Sequence, residues 1–387
     1  MKKFFIFAAA ACVAFASCVK NEPSFTNNSA EGAQVLFNTP VMSLATKGEE
    51  IKGEVFPTTV NFAVFGYYQE GNGSYDAGTG LIELYMDEVK CEYVVGDVDD
   101  IPTNGAGTWK HETDKYYWPK NGKLTFVAAS PAEDDVDNAC AYSITSDKTQ
   151  LQITYTAPKH IADTAKQVDV LYSNWKKDCT ASTHESNEAY DGVELAFNHA
   201  LSVVRLNIKA KDPESAAAVR VTGLAINGLY ETGQFTNHEI NQTQTWGFAG
   251  LSRTNYVVVY DVADADMEDP NIDDSRAITV EPTKFCNYLL IPQTFDAVTN
   301  ITVKYAIKHK VRDNSGNYVE KWLPQVYVYP LQSAEHKAVG GSAITEWVKG
   351  TRYTYDITIG VDEIYFAPSV ADWAEVNVTF DNETPQY

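Results

Sequence analysis

Apolar residues along this chain recur at every second position in short runs, and turn residues separate the runs. Val60, Phe62 and Val64 alternate with Asn61 and Ala63, and Gly71-Asn72-Gly73-Ser74 follows as a turn. Leu124, Phe126 and Ala128 come after Asn121-Gly122, a pair that tolerates positive φ and predicts a two-residue hairpin turn. The same rhythm returns at Leu151, Ile153 and Tyr155, at Val193, Leu195 and Phe197, and at Val204, Leu206 and Ile208. Later runs are Ile301 to Ile307, Val326 to Tyr329, Tyr353 to Ile359 and Val376 to Phe380. A period of two places alternate side chains on opposite faces of a strand, so the pattern predicts antiparallel sandwiches with one face of each sheet buried. Only Glu214 to Val219 reads as helical, and no long amphipathic helices alternate with the strands. The fold class is therefore all-β, and a βα-repeat scaffold is disfavoured.

The first eighteen residues break this rhythm. Lys2 and Lys3 precede an apolar run from Phe4 to Phe15, and the small pair Ala16-Ser17 leads into Cys18. The run is shorter than the roughly twenty residues a spanning helix needs, which favours a removable export signal. Residues 1–17 then form a lipoprotein signal peptide, and Cys18 becomes the lipid-bearing N-terminus. Phe15 stands where the commonest lipoprotein pattern has leucine, and an ordinary secretory signal cut elsewhere is the competing reading. Residues 18–32 are polar, carry a proline and lack periodicity, as a flexible tether would. An exported chain meets no pool of ATP or nicotinamide, so no cofactor is expected.

Length and charge narrow the picture further. Some 370 residues after the signal exceed what one core usually serves. The polar interval between Tyr172 and Asp191 supplies a boundary, giving an N-terminal β-sandwich domain at 33–185 and a C-terminal one at 186–387. The formal charge is −22. Such a surface repels nucleic acid and anionic headgroups, so nucleic acid is excluded as a partner. Beyond Cys12 and Cys18, the cysteines are Cys91, Cys140, Cys179 and Cys286, none in a C-x-x-C pair. They read as structural, whether free or singly paired, since nothing basic surrounds them to activate a thiolate.

No catalytic constellation emerges. The sequence lacks G-x-S-x-G, H-E-x-x-H, G-x-x-x-x-G-K and G-x-G-x-x-G. The histidines are scattered, and His199, in a strand-like run, reads as a packing or hydrogen-bonding residue. Three acidic clusters, at Asp97 to Asp100, Glu133 to Asp137 and Asp264 to Asp274, lack the spacing of a calcium loop and read as solvated charge. Neither catalytic nor metal-binding residues are assigned, and the chain is read as a non-enzyme.

Several phrases carry a resemblance. Tyr116-Tyr117-Trp118-Pro119 is followed by Lys123-Leu124-Thr125-Phe126; then come Asp169-Val170-Leu171-Tyr172 and Leu195-Ala196-Phe197-Asn198-His199-Ala200-Leu201-Ser202. Trp347-Val348-Lys349-Gly350-Thr351-Arg352-Tyr353-Thr354-Tyr355 and Phe366 to Trp373 complete the series. In order and spacing these phrases resemble the fimbrillin family, the type V pilins of Gram-negative anaerobes. Locally, Trp118-Pro119 would also end a strand, because proline cannot donate to the ladder.

The resemblance implies a lipoprotein of the outer membrane surface that folds into two transthyretin-like β-sandwich domains in series. It further implies that a protease removes the first strand and that a strand from another subunit fills the groove, polymerising the subunits into an adhesive fimbria. The removable strand would include Val35, Phe37 and Val41. Lys47 would be the processing site, although the family typically has arginine there and the first arginine of this chain is Arg205. Lysine lacks the planar fork, so either a protease accepting lysine cuts, or the strand is retained and the chain is a terminal piece. Val376, Val378 and Phe380 have the alternation of a donor strand, with an integral core strand as the other reading. The partners so implied are other fimbrial subunits and the membrane through its lipid. A tip or anchor role would add a host protein or glycan, gripped by Tyr67-Tyr68 or Tyr116-Tyr117. Asp163-Thr164-Ala165 resembles an O-glycosylation site of such bacteria.

Overall fold

The computed structural model describes residues 34–38, 56–76, 82–95, 108–111, 116–132, 140–158, 167–181, 192–240, 243–259, 277–338 and 341–372. The strands of the first half are β1 (Phe37–Asn38), β2 (Phe62–Gln69), β3 (Ile82–Val94), β4 (Thr108–His111), β5 (Lys123–Ser130), β6 (Cys140–Ile144), β7 (Gln150–Thr156), β8 (Leu171–Ser173) and β9 (Lys176–Cys179). Next come β10 (Val193–Glu194), β11 (Phe197–His199), β12 (Ser202–Ala210), the helix α1 (Pro213–Ala218), β13 (Val219–Tyr230), β14 (Thr232–His238) and β15 (Gln244–Gly247). The last are β16 (Arg253–Val259), β17 (Thr283–Leu290), β18 (Asn300–Arg312), β19 (Tyr318–Pro330), β20 (Thr351–Ile359) and β21 (Ile364–Asp372). The all-β class read from the alternation is what the chain adopts. Helix α1 forms where expected, because Asp212 caps it by accepting from the Ser215 amide at 2.7 Å and Pro213 opens it.

Among the described residues the strands make four sheets. One has the order β10-β1-β4-β3-β2-β5-β8-β11, with β9 also on β5. The others are β15-β14-β7-β6, β17-β12-β20-β21 and β16-β13-β18-β19. Most pairs are antiparallel as expected, but β1 with β10 and β12 with β20 run parallel. The expected boundary at 185/186 lies outside the described residues. Strands β10 and β11, which follow it, belong to the first sheet, and β7 pairs with β14 along its whole length from Gln150↔His238 to Thr156↔Thr232.

One expectation about burial needs correction. The central strands β2 and β5 are covered on both faces rather than one. Phe62 and Val64 with Leu124, Phe126 and Ala128 enter an aromatic core, while Ala63, Phe65, Tyr67, Val127 and Ala129 enter a second, larger core on the other side. The physical reason is the β15-β14-β7-β6 sheet, whose Leu151, Ile153, Tyr155 and Phe235 share that larger core and shield the second face. Likewise Asn121-Gly122 does not close a two-residue hairpin. Gly122 has φ +83, but the strand after it pairs with β2, and an added Cβ would meet the Gln69 carbonyl oxygen at 2.4 Å.

Candidate functional site

The first strand lies in a slot built for it. Val35, Leu36 and Phe37 are fully buried, and β1 is held between β10 in parallel and β4 in antiparallel register, with Phe37 opposite both Val193 and Trp109. Its backbone is paired on both sides: the Val35 amide donates to the Tyr116 carbonyl at 2.8 Å, and the Val193 amide donates to the Leu36 carbonyl at 2.8 Å. The Leu195 amide reaches the Asn38 carbonyl at 3.3 Å.

Aromatic rings form the floor. Phe37 meets Phe62 and Phe126 edge-on, at centroid separations of 6.0 and 5.4 Å. Behind them Phe56 packs on Phe62, Trp109 and Phe197 at 5.8, 5.2 and 5.0 Å, and Trp118 packs edge-on to Phe126 at 6.1 Å. Burial of each large apolar side chain stabilises by about 1.5–3 kcal/mol, so the short strand is anchored by its side chains as much as by its ladder. Gly192 sets the spacing on one wall: at φ +70, a Cβ there would stand 2.8 Å from both the Phe37 carbonyl carbon and the Asn38 nitrogen. On the other wall, Tyr85 clamps the Tyr117 backbone, its hydroxyl donating to the Tyr117 carbonyl at 2.5 Å and accepting from the Tyr117 amide at 2.9 Å.

Of the site residues expected from sequence, Val35 and Phe37 thus sit in this slot. Cys18, Val41, Lys47, Val376, Val378 and Phe380 lie outside the described residues, as do the three acidic clusters and Asp163 to Ala165. The tyrosine pairs expected as exposed gripping surfaces are placed otherwise. Tyr67 is buried in β2 and stacks on Trp175 at 6.3 Å, and Tyr68, Tyr116 and Tyr117 are half-buried in packed positions. They are packed because β2 is a central strand and Tyr116 lies edge-on to Tyr85 and His111.

Three of the phrases that carried the resemblance, around Asp169, His199 and Lys349, meet one another. His199 Nδ1 straddles the Asp169 carboxylate, 2.9 Å from Oδ2 and 3.1 Å from Oδ1, with both residues buried. Burial pushes the Asp169 carboxyl above its ordinary range, and His199 opposes that shift. Lys349 Nζ donates to the Tyr172 hydroxyl at 2.8 Å, the Gly350 amide donates to the Leu201 carbonyl at 2.8 Å, and Ser202 Oγ donates to the Val348 carbonyl at 2.9 Å. Beyond them, His336 Nδ1 bonds the Leu331 carbonyl at 2.7 Å and must carry the proton. Its Nε2 therefore accepts from the Tyr355 hydroxyl at 3.0 Å, and that hydroxyl accepts from Trp347 Nε1 at 3.1 Å. These bonds fix packing, and His199 has the hydrogen-bonding role read from its strand.

Reactive groups are buried in the same way. The Cys91 and Cys179 thiols lie in the aromatic core, and desolvation pushes both up, Cys179 to about 12, which keeps them protonated and unreactive. A surface cleft is lined by Tyr75, Asp76, Asp147, Thr149, Lys177, Glu239 and Ile240, in which Lys177 pairs with Glu239. Among the described residues no cluster of three His, Cys, Asp or Glu could hold a metal ion, and no helix is long and apolar enough to cross a membrane. Sequence reasoning missed Gly192, Phe56 and Trp109 as slot residues. Only Gly192 left a signal, as a glycine directly ahead of an alternating run.

The sequence profile described as fimbrillin-like matches residues 54–373, and the chain belongs to that family. Among solved structures, a fimbrial protein from Bacteroides vulgatus ATCC 8482 is 17% identical with a TM-score of 0.53, over 88% of this chain and 100% of that one. A fimbrilin from Porphyromonas gingivalis W83 is 8% identical with a TM-score of 0.36, over 90% of this chain and 99% of that one. The first of these shows the shared β-sandwich fold. No curated protein matches the sequence.

Proposed function

We propose that this chain is a structural subunit of a cell-surface fimbria, assembled with other fimbrial subunits by strand addition and contributing to adhesion. The observation that carries this reading is the slot: β1 is a two-residue strand, fully buried on its core side, with a partner on each edge. Removing it would uncover a groove with open backbone donors and acceptors on both walls and an aromatic floor. That combination is what an incoming strand needs, since main-chain bonds supply affinity and alternating side chains fill pockets. In this reading Cys18 carries the lipid that anchors the chain in the outer membrane, cleavage follows Lys47, and Val35, Phe37 and Val41 leave with the first strand. Val376, Val378 and Phe380 are the donor of the next contact. Structural assembly requires no cofactor and no catalytic residue, and none is assigned.

The test is the mature N-terminus of protein taken from the cell surface, read by mass spectrometry, together with the assembly state of chain trimmed at Lys47. A terminus at Gly48 and polymers after trimming are expected; clean trimming that leaves only monomers would sink the reading. A second reading keeps β1 in place and makes the chain an anchor or tip piece that binds a host protein or glycan. Lysine rather than arginine at position 47 favours it, and a lipid-modified Cys18 persisting within assembled fibres would support it.

A further inference from the structure

The hairpin of β18 and β19 runs on past the body of its sheet. Its ladder stays in register to the last pair, Arg312↔Tyr318, yet Lys308, His309, Lys310 and Arg312 on one strand and Tyr318, Glu320 and Lys321 on the other are exposed. This distal arm is basic in a chain whose charge is −22. Lys308, Lys310, Arg312 and Lys321 stand on it against two carboxylates. Asp313 is taken up by the turn, accepting from the Ser315 and Asn317 amides at 2.9 and 2.8 Å, and Glu320 pairs with Lys308 at 3.3 Å.

The arm is also braced. Directly paired residues share a face, so Lys308, Lys310 and Arg312 project on the side of Trp322, Glu320 and Tyr318. Arg220, opposite Ala306, joins that side, and its guanidinium lies 5.1 Å from the Trp322 ring centroid while the Lys308 ammonium lies 5.3 Å from it. Arg312 lies 5.5 Å from the ring of Tyr318, which is 71% exposed. Nearer the body the same strand exposes Val326 and Val328. Lys321, Pro324 and Pro330 lie on β19, the outer strand of its sheet, and the prolines donate nothing to a further ladder. The arm therefore offers a partner exposed basic side chains.

We propose that this arm docks on the acidic surface of a second copy of the chain. Charge complementarity selects that occupant: every copy carries a large surplus of carboxylates outside the arm, and two such bodies repel unless a basic element meets an acidic face. A projecting element that meets a different surface on its neighbour makes a heterologous contact, which propagates along a filament. The setting rests on the fimbrial reading, where strand addition already holds neighbours at high effective concentration.

The test needs no trimming at Lys47, so the two readings fail separately. Sedimentation of the purified untrimmed chain at low and high ionic strength would be compared with the K310E/R312E variant, and with K310Q/R312Q as a milder control that leaves the hairpin ladder intact. The wild type is expected to self-associate at low salt and to dissociate at high salt. The charge reversal should weaken association by about tenfold or more, and the glutamine pair by less. A wild-type monomer at low salt, or equal association by the reversed variant, would overturn the proposal. Retention of a monomeric wild type on heparin, lost in the reversed variant, would overturn it in favour of a glycan. If arm-dependent association holds but trimmed chain never polymerises, the fimbrial reading alone falls.

Discussion

Lys349 donates through Nζ to the hydroxyl of Tyr172 across a separation of 2.8 Å, with its ammonium 5.3 Å from the same ring's centroid. This joins β8 of the first sheet to the segment that leads into β20. Burial lowers the pKa of Lys349 and pushes the Tyr172 hydroxyl up to about 12, so the phenol is neutral at physiological pH. Tyr172→Phe keeps the ring and removes the acceptor. The expected outcome is a loss of about 1–2 kcal/mol in urea unfolding, since a half-buried ammonium loses its hydrogen-bond acceptor. Lys349→Met, which removes the charge as well and keeps the volume, should cost less.

The Gly192 wall makes a sharper prediction. Alanine there meets both a positive φ and backbone atoms of the first strand at 2.8 Å, neither of which can yield as a flexible side chain would. Gly192→Ala should destabilise the intact chain by about 1–3 kcal/mol. The loss should be local, with β1 becoming susceptible to limited proteolysis before the sheet around β13 and β18. Unchanged proteolysis near Phe37 would show that β10 can retreat without releasing β1.

His336 gives the chain a pH dependence with a definite sign. Its Nδ1 proton is committed to Leu331 and its Nε2 accepts from Tyr355, so protonating Nε2 would break the bond from the phenol. Burial accordingly lowers its pKa below the ordinary 6.5. A histidine that takes up its proton less readily when folded stabilises fully above the unfolded value and loses that contribution as pH falls through about 6.5 toward the folded value. Unfolding midpoints should therefore drop below about pH 6.5, and His336→Gln should flatten that part of the profile while lowering stability at neutral pH. Asp169 acts in the opposite sense, because its raised pKa means the folded chain holds that proton longer as pH rises. The two are separated by following the profile of Asp169→Asn below the histidine range.

What could be read in advance was set by local rules. Alternation at Leu151, Ile153 and Tyr155 and at Tyr353, Tyr355 and Ile357 identified strands in which those residues are buried. Glu214 to Val219 read as helical, and the helix spans Pro213–Ala218 because Asp212 caps it in the structure. Alternation is silent where both faces are covered, which is why Ala63 in β2 reads as the open side although it is buried. It is also silent where neither face is covered. Lys308 to Arg312 carry no apolar rhythm, so β18 was expected to stop at Ile307 and the basic arm went unseen. The slot itself is a property of pairing between Phe37, Trp109 and Val193, which no local pattern encodes.

Phe37 allows the slot to be tested without a protease. Phe37→Ala would leave a cavity against Phe62 and Phe126 in a closely packed aromatic core, at a cost of about 3–5 kcal/mol. If β1 is an exchangeable insert, that cost should appear first as local release of residues 34–38, detected by faster amide exchange at Val35 and Val193, whose amides bond across the strand. A synthetic peptide covering residues 34–41 added to such a variant, or to chain beginning at Gly48, should bind and restore protection at Val193. The same peptide with alanine in place of Phe37 should bind at least about tenfold more weakly, since the ring supplies the largest burial in the segment. Binding that ignored the ring would mean that the main chain alone fills the groove, and the aromatic floor would lose its role in selecting the incoming strand.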